Sequence, residues 1–247
     1  MSIIKLVNLI ILLLILLLSS SLKSIFSDNK YKFIYFYSPL YEFYNQQISE
    51  KCKNNFKLKP ILIDDVVIKD KNGHHFNGHN IKIELIIKEI KDNMNNNIIF
   101  SDATIFISDK NKDILPNYLS NYINYDIVFI NEYPNVYNIG FMFIKCSEKM
   151  LYFFEKVLEL LINKTFTHDQ ACINDLIKKD DNILYTCFSK EIYCGFEFKN
   201  NERDTYIIYK SFIQNTGNLI ENYNQRIENF KNNKLIDDNT YNLWYKK

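Results

Sequence analysis

Short apolar runs of strand length alternate with helix-like segments along most of this chain. Residues 32–37 (KFIYFY) and 98–100 are runs of the first kind, whereas apolar side chains recur at helical spacing in residues 80–94 and 148–162. Two parallel strands need a crossover connection, usually a helix, so this alternation favours parallel pairing. The sequence therefore predicts an α/β fold, a single domain with a mainly parallel central sheet.

The N-terminus is a nearly uninterrupted apolar segment. Residues 1–23 have Lys5 ahead of the apolar core and serines at 19–21 behind it. About 20 residues of this kind approach the length that crosses a bilayer. A signal-anchor and a cleaved signal peptide both fit, and the long core favours the anchor. We predict a hydrophobic N-terminal helix in the membrane, and a single-pass protein with a lumenal C-terminal domain in an ER/Golgi-type secretory pathway. Cleavage would instead give a secreted protein.

The domain is expected at residues 31–235, after a short stem at 24–30 and before a C-terminal tail at 236–247. The sequence contains no internal repeat and no interdomain linker. An N-x-[ST] sequon at Asn163 suits a lumenal destination.

Charge and cysteine spacing exclude two classes of protein. The chain has 30 Lys and Arg against 29 Asp and Glu, a formal net charge of +1, and no long basic run. It therefore lacks the electrostatic footprint of a nucleic-acid-binding protein. The five cysteines have no C-x-x-C spacing, which excludes a zinc ribbon and a thioredoxin-like motif. In an oxidising lumen one or two pairs could form.

Asp102 lies at the end of an apolar run in the segment IIFSDATIFI. Open α/β sheets bind their ligands at the carboxyl ends of their strands. A carboxylate there can hold a hard divalent cation that bridges a pyrophosphate. The alternative is that Asp102 only caps a turn by accepting backbone hydrogen bonds. Taken alone, the segment favours the turn.

Asn138 and Gly140 stand just ahead of the apolar run 141–144. Glycine has no Cβ, so an Asn-x-Gly at this point would allow the backbone to approach a ligand closely. An ordinary loop before a strand explains the same residues.

The residues Thr167-His168-Asp169-Gln170 open a predicted helix. Thr167 and Gln170 have the spacing of a capping box, and Asp169 would interact favourably with the helix dipole. The functional alternative makes Asp169 an active-site carboxylate near a cationic or oxocarbenium-like centre. The tetrapeptide alone favours capping.

Three histidines, His74, His75 and His79, lie close together in KNGHHFNGHN. A metal site would need an acidic or Cys partner in register, and none is present. This favours an exposed loop over the ligand-binding edge of the sheet.

The order of these parts resembles the nucleotide-diphospho-sugar transferase family of GT-A type. Members have a D-x-D after the middle strand, an N-x-G-F-M strand behind it and a D-Q downstream. The resemblance covers roughly residues 32–230. It implies a GT-A, Rossmann-related fold and a nucleotide-sugar donor with a glycan or glycoprotein acceptor. It also implies a Mn²⁺ or Mg²⁺ ion and retention of anomeric configuration.

The resemblance carries over to individual positions. Asp102 matches the first Asp of D-x-D and is the expected metal ligand, while Thr104 replaces the second Asp and is a weaker ligand. The remaining expected roles are catalysis for Asp102, Asp169 and Gln170, donor binding for Ser38, Lys82, Asp102 and Thr104, and the acceptor side for Asn138, Gly140 and His168. For Lys82 an ordinary solvated helix lysine is the alternative, and its position alone favours that alternative. The late His that completes the metal site in many members is missing, because residues 206–210 read YIIYK.

Two hypotheses from other classes compete with a working transferase. A catalytically inert GT-A domain that binds or supports another lumenal protein would explain Thr104 and the missing His. A secreted structural protein on an α/β scaffold also fits, because a fold does not fix a function.

Overall fold

The computed structural model describes residues 31–63, 76–195, 205–211, 213, 216 and 218–245. The predicted signal-anchor at 1–23 and the stem at 24–30 lie outside these residues and stay predictions, as does the predicted secretory location. His74 and His75 lie outside them as well. Within the described ranges, no helix is both long and apolar enough to cross a membrane.

Six strands form the central sheet in the order β2–β1–β3–β6–β5–β7. The strands are β1 (Lys32–Tyr37), β2 (Lys57–Leu62), β3 (Asn97–Asp102), β5 (Ile127–Tyr133), β6 (Val136–Lys145) and β7 (Tyr185–Cys187). The α/β domain with a central sheet is confirmed. The sheet is mixed, since β6 runs antiparallel to both of its neighbours while the other five strands share one direction.

A tight hairpin explains the direction of β6. Tyr133 at the end of β5 pairs with Val136 at the start of β6. Only two residues connect them, and Asn135 has a φ of 63°. So short a connection permits only antiparallel pairing, and Asn tolerates the left-handed conformation better than most residues. The start of β6 is thereby placed at the edge of the sheet where β1 and β3 end.

Helices cover the sheet and bury the larger core. The helices are α1 (Glu42–Cys52), α2 (Phe76–Asp92), α3 (Leu115–Ser120), α4 (Glu148–Ile162), α5 (Asp169–Ile177), α6 (Leu219–Asn232) and α7 (Asp238–Trp244), with 3₁₀ turns at Pro39–Tyr41 and Lys112–Ile114. Ile86 of α2 and Phe154 of α4 pack with Phe100 of β3 and Met142 of β6 in this core. Full burial of each such side chain stabilises the fold by about 1.5–3 kcal/mol. The core therefore fixes α2 against the sheet.

A smaller sheet continues the domain beyond β3. It consists of β4 (Ile105–Ile107), β9 (Ile208–Ser211) and β8 (Ile192–Gly195), with β9 in the middle. β9 is antiparallel to β4 and parallel to β8. Only Ala103 and Thr104 separate β3 from β4. The smaller sheet therefore begins directly beside the carboxyl end of β3.

Part of the segment predicted as a C-terminal tail is an ordered helix. Asp237 caps α7 by accepting a hydrogen bond from the Thr240 backbone N–H, at 2.7 Å. Trp244 stacks on Phe43 of α1, with ring centroids 3.3 Å apart, and Tyr241 joins the same aromatic cluster. The packing of these partly buried rings against Phe43 gives the short helix tertiary support that its own length cannot provide.

All five cysteines lie within the described residues, and none is paired with another. Cys52, Cys146, Cys172 and Cys194 are buried in the core. Burial raises the pKa of the Cys146 thiol to about 12, which keeps it protonated. The structure therefore shows none of the disulfides that the composition would allow.

A fully buried carboxylate ties α2 to the first two strands. Glu89 of α2 receives hydrogen bonds from Lys32 of β1, at 2.9 Å, and from Lys59 of β2. Burial alone would raise the pKa of Glu89, but the hydrogen bonds from Lys59 and Lys32 outweigh it and the pKa is lowered. Glu89 is therefore ionised in the folded protein at neutral pH.

The lowered pKa makes the stability contribution of Glu89 depend on pH. A carboxyl group whose pKa falls on folding stabilises the protein at pH values above its pKa in the unfolded chain, here 4.5. This contribution is lost as the pH falls through the lower pKa of the folded protein. We expect Glu89→Gln to lower the free energy of unfolding near neutral pH, with a difference from the natural protein that shrinks in acid. Urea unfolding over a pH series measures it. Glu155→Gln on α4, an exposed partner of Lys91, is the control and should show almost no difference. A constant difference for Glu89→Gln at all pH values would contradict this account.

Candidate active site

A pocket of about 520 Å³ opens where β1 and β3 end and β6 begins. Its volume is in the range of small-molecule sites. Most of the residues predicted from the sequence line it: Ser38, Lys82, Asp102, Thr104, Asn138, Asp169 and Gln170. Gly140 and His168 lie next to it, each in contact with a lining side chain. The fold thus brings together residues that are far apart in the sequence.

Asp102 lies between two lysines. Its Oδ1 accepts a hydrogen bond from Lys82 Nζ at 2.9 Å, and its Oδ2 accepts one from Lys210 Nζ at 2.7 Å. Burial alone would raise the pKa of Asp102, but Lys210 and Lys82 outweigh it and hold the pKa well below its usual range. The carboxylate is ionised and engaged on both sides, which favours a role in the pocket over simple turn capping.

Lys82 is the buried member of this group. Its Nζ also donates to the Ile139 carbonyl oxygen at 3.1 Å and lies 3.8 Å from Asp169 Oδ2. Burial alone would lower the pKa of Lys82, yet Asp102 and Asp169 raise it above its ordinary value. The side chain is only 6% exposed. Lys82 is thus a fixed, permanent positive charge and not the solvated helix lysine that its position in the sequence would also allow.

The end of the Lys210 side chain packs against Gly140, where a Cβ of another residue would lie. Its Nζ lies 3.4 Å from Thr104 Oγ1, so the ammonium group stands between Thr104 and Asp102. A Cβ at Gly140 would lie 2.0 Å from Lys210 Nζ, a distance that no pair of non-bonded atoms can tolerate. A larger residue at position 140 would therefore have to displace the end of the Lys210 side chain from Asp102.

Asp169 is held by partners from α2. Its Oδ1 lies 2.7 Å from His79 Nδ1 and accepts a hydrogen bond from the Gln170 backbone N–H at 2.9 Å. Burial alone would raise the pKa of Asp169, but Lys82 and His79 lower it. The side chain is only 8% exposed. Asp169 is thus a buried carboxylate that faces the pocket and contacts Lys82 and His79.

The predicted capping box does not form. The N-cap of α5 is His168, one residue later than Thr167, and its side chain makes no cap hydrogen bond. His168 Nδ1 lies 3.2 Å from His79 Nε2 instead. The side chains at this helix start contact α2, so tertiary partners have replaced the local cap that the tetrapeptide predicts.

Glu132 orients two amide side chains that line the pocket. Its Oε2 accepts hydrogen bonds from Asn138 Nδ2 at 2.8 Å and from Gln170 Nε2 at 3.0 Å. Asn138 Oδ1 in turn accepts from the Gly140 backbone N–H at 2.8 Å. An amide nitrogen donates hydrogen bonds and an amide oxygen accepts them. These contacts therefore fix the orientation of both amide groups.

Lys210, Glu132 and Arg226 were not predicted as site residues from the sequence, and His79 was predicted only as part of a loop. Arg226 of α6 lines the pocket, and its Nη1 donates to the Ser211 carbonyl oxygen at 2.6 Å. Its Nε is buried without a hydrogen-bond partner among the described residues. Only His79 carried a signal in the sequence, and that signal indicated a loop.

The described residues around Asp102 do not fit the divalent cation that the family resemblance implies. Both Asp102 oxygens accept hydrogen bonds from ammonium groups, and the neighbouring Thr104 supplies a hydroxyl in place of a carboxylate. No three His, Cys, Asp or Glu side chains come together as a metal-binding group anywhere in the described ranges. Hard divalent cations prefer several carboxylate or carbonyl oxygens, whereas lysine offers only donors.

The fold is shared with solved glycosyltransferases. One is a glycosyltransferase involved in the glycosylation of the major capsid of PBCV-1, with 12% identity and a TM-score of 0.57 over 83% of this chain and 98% of that one. Another is the apo form of the glycosyltransferase GlyE of Streptococcus pneumoniae TIGR4, with 13% identity and a TM-score of 0.51 over 88% of this chain and 63% of that one. The sequence matches no family model and no curated protein. At such identities the likeness establishes the fold, and it is the GT-A fold that the resemblance implies.

The contact between Gly140 and Lys210 gives a test of the geometry. We expect Gly140→Ala to lower the free energy of unfolding by about 1–3 kcal/mol, because the added methyl forces Lys210 away from Asp102. The cost should nearly vanish when Gly140→Ala is introduced into Lys210→Ala, where the space is free. Denaturant unfolding of the four proteins gives the coupling energy. Equal costs in both backgrounds would show that the methyl group clashes with something else.

Proposed function

We propose that this chain is a glycosyltransferase that moves a monosaccharide from a nucleotide-diphosphate sugar to a hydroxyl of a glycan or glycoprotein. The observation that carries the proposal is the meeting of Asp102, Asn138 and Asp169 at one pocket of a GT-A fold. Their order along the sequence is the order of the family's motifs. Ligands of open α/β sheets bind at this edge, where the parallel strands end.

The fixed cations of the pocket suit a diphosphate. Its described lining includes three cations, Lys82, Lys210 and Arg226, and the two carboxylates Asp102 and Asp169. Glu132 lies behind Asn138 and Gln170 and adds a third carboxylate, so the site contains fixed cations without a net positive charge. Positive charge that is fixed before the ligand arrives stabilises the negative charge that develops on a leaving diphosphate.

The wall beside Ser38 suits a nucleoside. Phe36, Tyr37 and Tyr41 line the pocket around Ser38, at the carboxyl end of β1. Any nucleobase can stack on an aromatic side chain, because every base has a π-face. We therefore assign this wall to the nucleoside and the lysines to the diphosphate.

The opposite side is assigned to the sugar and the acceptor. In the reaction the bond from the anomeric carbon to the diphosphate oxygen breaks, and its electron pair leaves with the diphosphate. The acceptor oxygen forms the new bond to the anomeric carbon and releases its proton. Asp169 would balance the positive charge that develops at that carbon, as carboxylates do in glycoside hydrolysis. Asn138 and Gln170, oriented by Glu132, would hold hydroxyl groups. Retention of configuration stays a prediction, and the anomeric form of the product tests it.

A donor panel tests the proposed function. The natural protein, incubated with nucleotide sugars and with candidate glycan acceptors, should release a nucleoside diphosphate from at least one donor. Released diphosphate is measured with a coupled assay, and glycosylated acceptor by mass spectrometry. Binding of nucleoside diphosphates without any turnover would contradict catalysis and support the inert GT-A domain instead.

Asp169 separates a catalytic role from a structural one. We expect Asp169→Asn to lower turnover by at least about 10²-fold, the scale for one key electrostatic group. Some stability should be lost as well, because Asp169 is a buried partner of Lys82 and His79 and the amide removes its charge. Asp175→Asn, an exposed substitution on the same helix, is the matched control. Normal turnover of Asp169→Asn with reduced stability would assign Asp169 to the helix alone.

A further inference from the structure

We propose that the ammonium group of Lys210 stands where other transferases place a divalent cation, so that this enzyme needs no metal. The inference rests on the proposed function, because it names the group that stabilises the leaving diphosphate. It also replaces the Mn²⁺ or Mg²⁺ that the family resemblance implies.

Position is the first argument. Lys210 Nζ lies 2.7 Å from Asp102 Oδ2 and 3.4 Å from Thr104 Oγ1, and these are the two positions that correspond to the acids of D-x-D. A cation held by those two residues would have to occupy the volume that the ammonium group fills. Lys210 is thus placed where the sequence motif predicts a metal.

Rigidity is the second argument. Lys210 belongs to β9, the central strand of the smaller sheet, where it pairs with Ile105 on one side and Cys194 on the other. Its side chain is 11% exposed. A backbone paired on both sides and a buried side chain hold the ammonium group in place before a ligand binds, which is the condition for effective electrostatic stabilisation.

Gly140 supplies a third, independent argument. The glycine lies on β6 in the central sheet, whereas Lys210 lies on the smaller sheet. The end of the Lys210 side chain fills the space beside Gly140, and a side chain at position 140 would have to displace it from there. Two elements from different sheets are therefore matched to accommodate one lysine.

An ammonium group can perform the electrostatic part of a metal's task. It carries three N–H donors, and Asp102 and Thr104 accept from it. One donor is left for an oxygen of the leaving diphosphate. Lys82 adds a second positive charge on the other side of Asp102. When the bond from the anomeric carbon breaks, the electron pair on the diphosphate oxygen faces these lysines, and the proton of the acceptor hydroxyl passes to the departing diphosphate.

A divalent cation would meet repulsion at the same place. It would have to come within a few ångströms of two ammonium groups, and it would compete with them for a single carboxylate. Like charges this close in a partly buried site oppose binding strongly. Removing Lys210 and restoring the second acid should reverse this preference.

The first experiment measures the metal requirement. We expect the natural protein to turn over its nucleotide sugar equally well with EDTA and with added Mn²⁺. Lys210→Met, which removes the charge and keeps most of the length of the side chain, should lower turnover by about 10²-fold. Lys91→Met on the exposed face of α2 is the control and should leave turnover unchanged. Loss of turnover in EDTA with recovery in Mn²⁺ would overturn the proposal.

The second experiment needs no turnover. Mn²⁺ alone is titrated into the natural protein and into the double variant Thr104→Asp/Lys210→Ala, with electron paramagnetic resonance and calorimetry as readouts. We expect tight binding only by the double variant, and Mn²⁺ should also raise its melting temperature. Equal Mn²⁺ binding by the two proteins, whether strong or absent, would contradict the placement of Lys210.

The two experiments keep this inference distinct from the proposed function. A natural protein that turns over no donor under any condition contradicts the function. The Mn²⁺ titrations then still decide whether Lys210 occupies the place of the cation. Turnover that depends on metal supports the function and refutes the inference.

Discussion

The carboxylate of Asp102 lies at the centre of the structure's electrostatics, because an ionised group in a partly buried position has to be compensated by its neighbours. Its two partners come from different parts of the chain, Lys82 from α2 and Lys210 from β9 of the smaller sheet. Asp102 itself ends β3 in the central sheet. Two ion pairs therefore join a helix and two sheets at one point. The pocket lies at this point, and the charged groups of the two ion pairs line it.

Carboxylates and basic side chains alternate along a series of contacts that includes Asp102. Lys210 contacts Asp102, Asp102 contacts Lys82, Lys82 lies near Asp169, and Asp169 contacts His79. Asp102 and Asp169 raise the pKa of Lys82, so this lysine stays charged although it is buried. An anionic ligand that enters the pocket meets a positive charge whose burial is already compensated in the folded protein. This arrangement explains how a nearly neutral chain can hold a buried lysine in its pocket.

The sequence predicted those parts of the site that depend on local signals. Asp102 and Asn138 adjoin apolar strands, and Asp169 opens a helix, so their positions at one edge of a sheet follow from the α/β pattern. The role of Lys210 does not follow from any local signal, because its contact with Asp102 spans 108 residues and depends on how β9 pairs with β4. Likewise His79 was expected in a loop, yet its partner Asp169 is 90 residues away. Tertiary contacts decided both positions, and they also replaced the capping box and ordered the helix at the C-terminus.

The long sequence separations in this pocket have a consequence for when the pocket forms during folding. Lys82, Asp102, Asp169 and Lys210 approach one another only after the sheet has closed through non-local strand pairs, and forming such pairs carries the entropy of closing long loops. No fragment that lacks β9 contains Lys210, so Asp102 would have only one of its two lysine partners in it. We infer that partly folded chains have no binding site, and that ligand binding begins only when β9 has joined its sheet. A ligand that binds the finished pocket would therefore shift the folding equilibrium toward the complete fold, since only that state binds it.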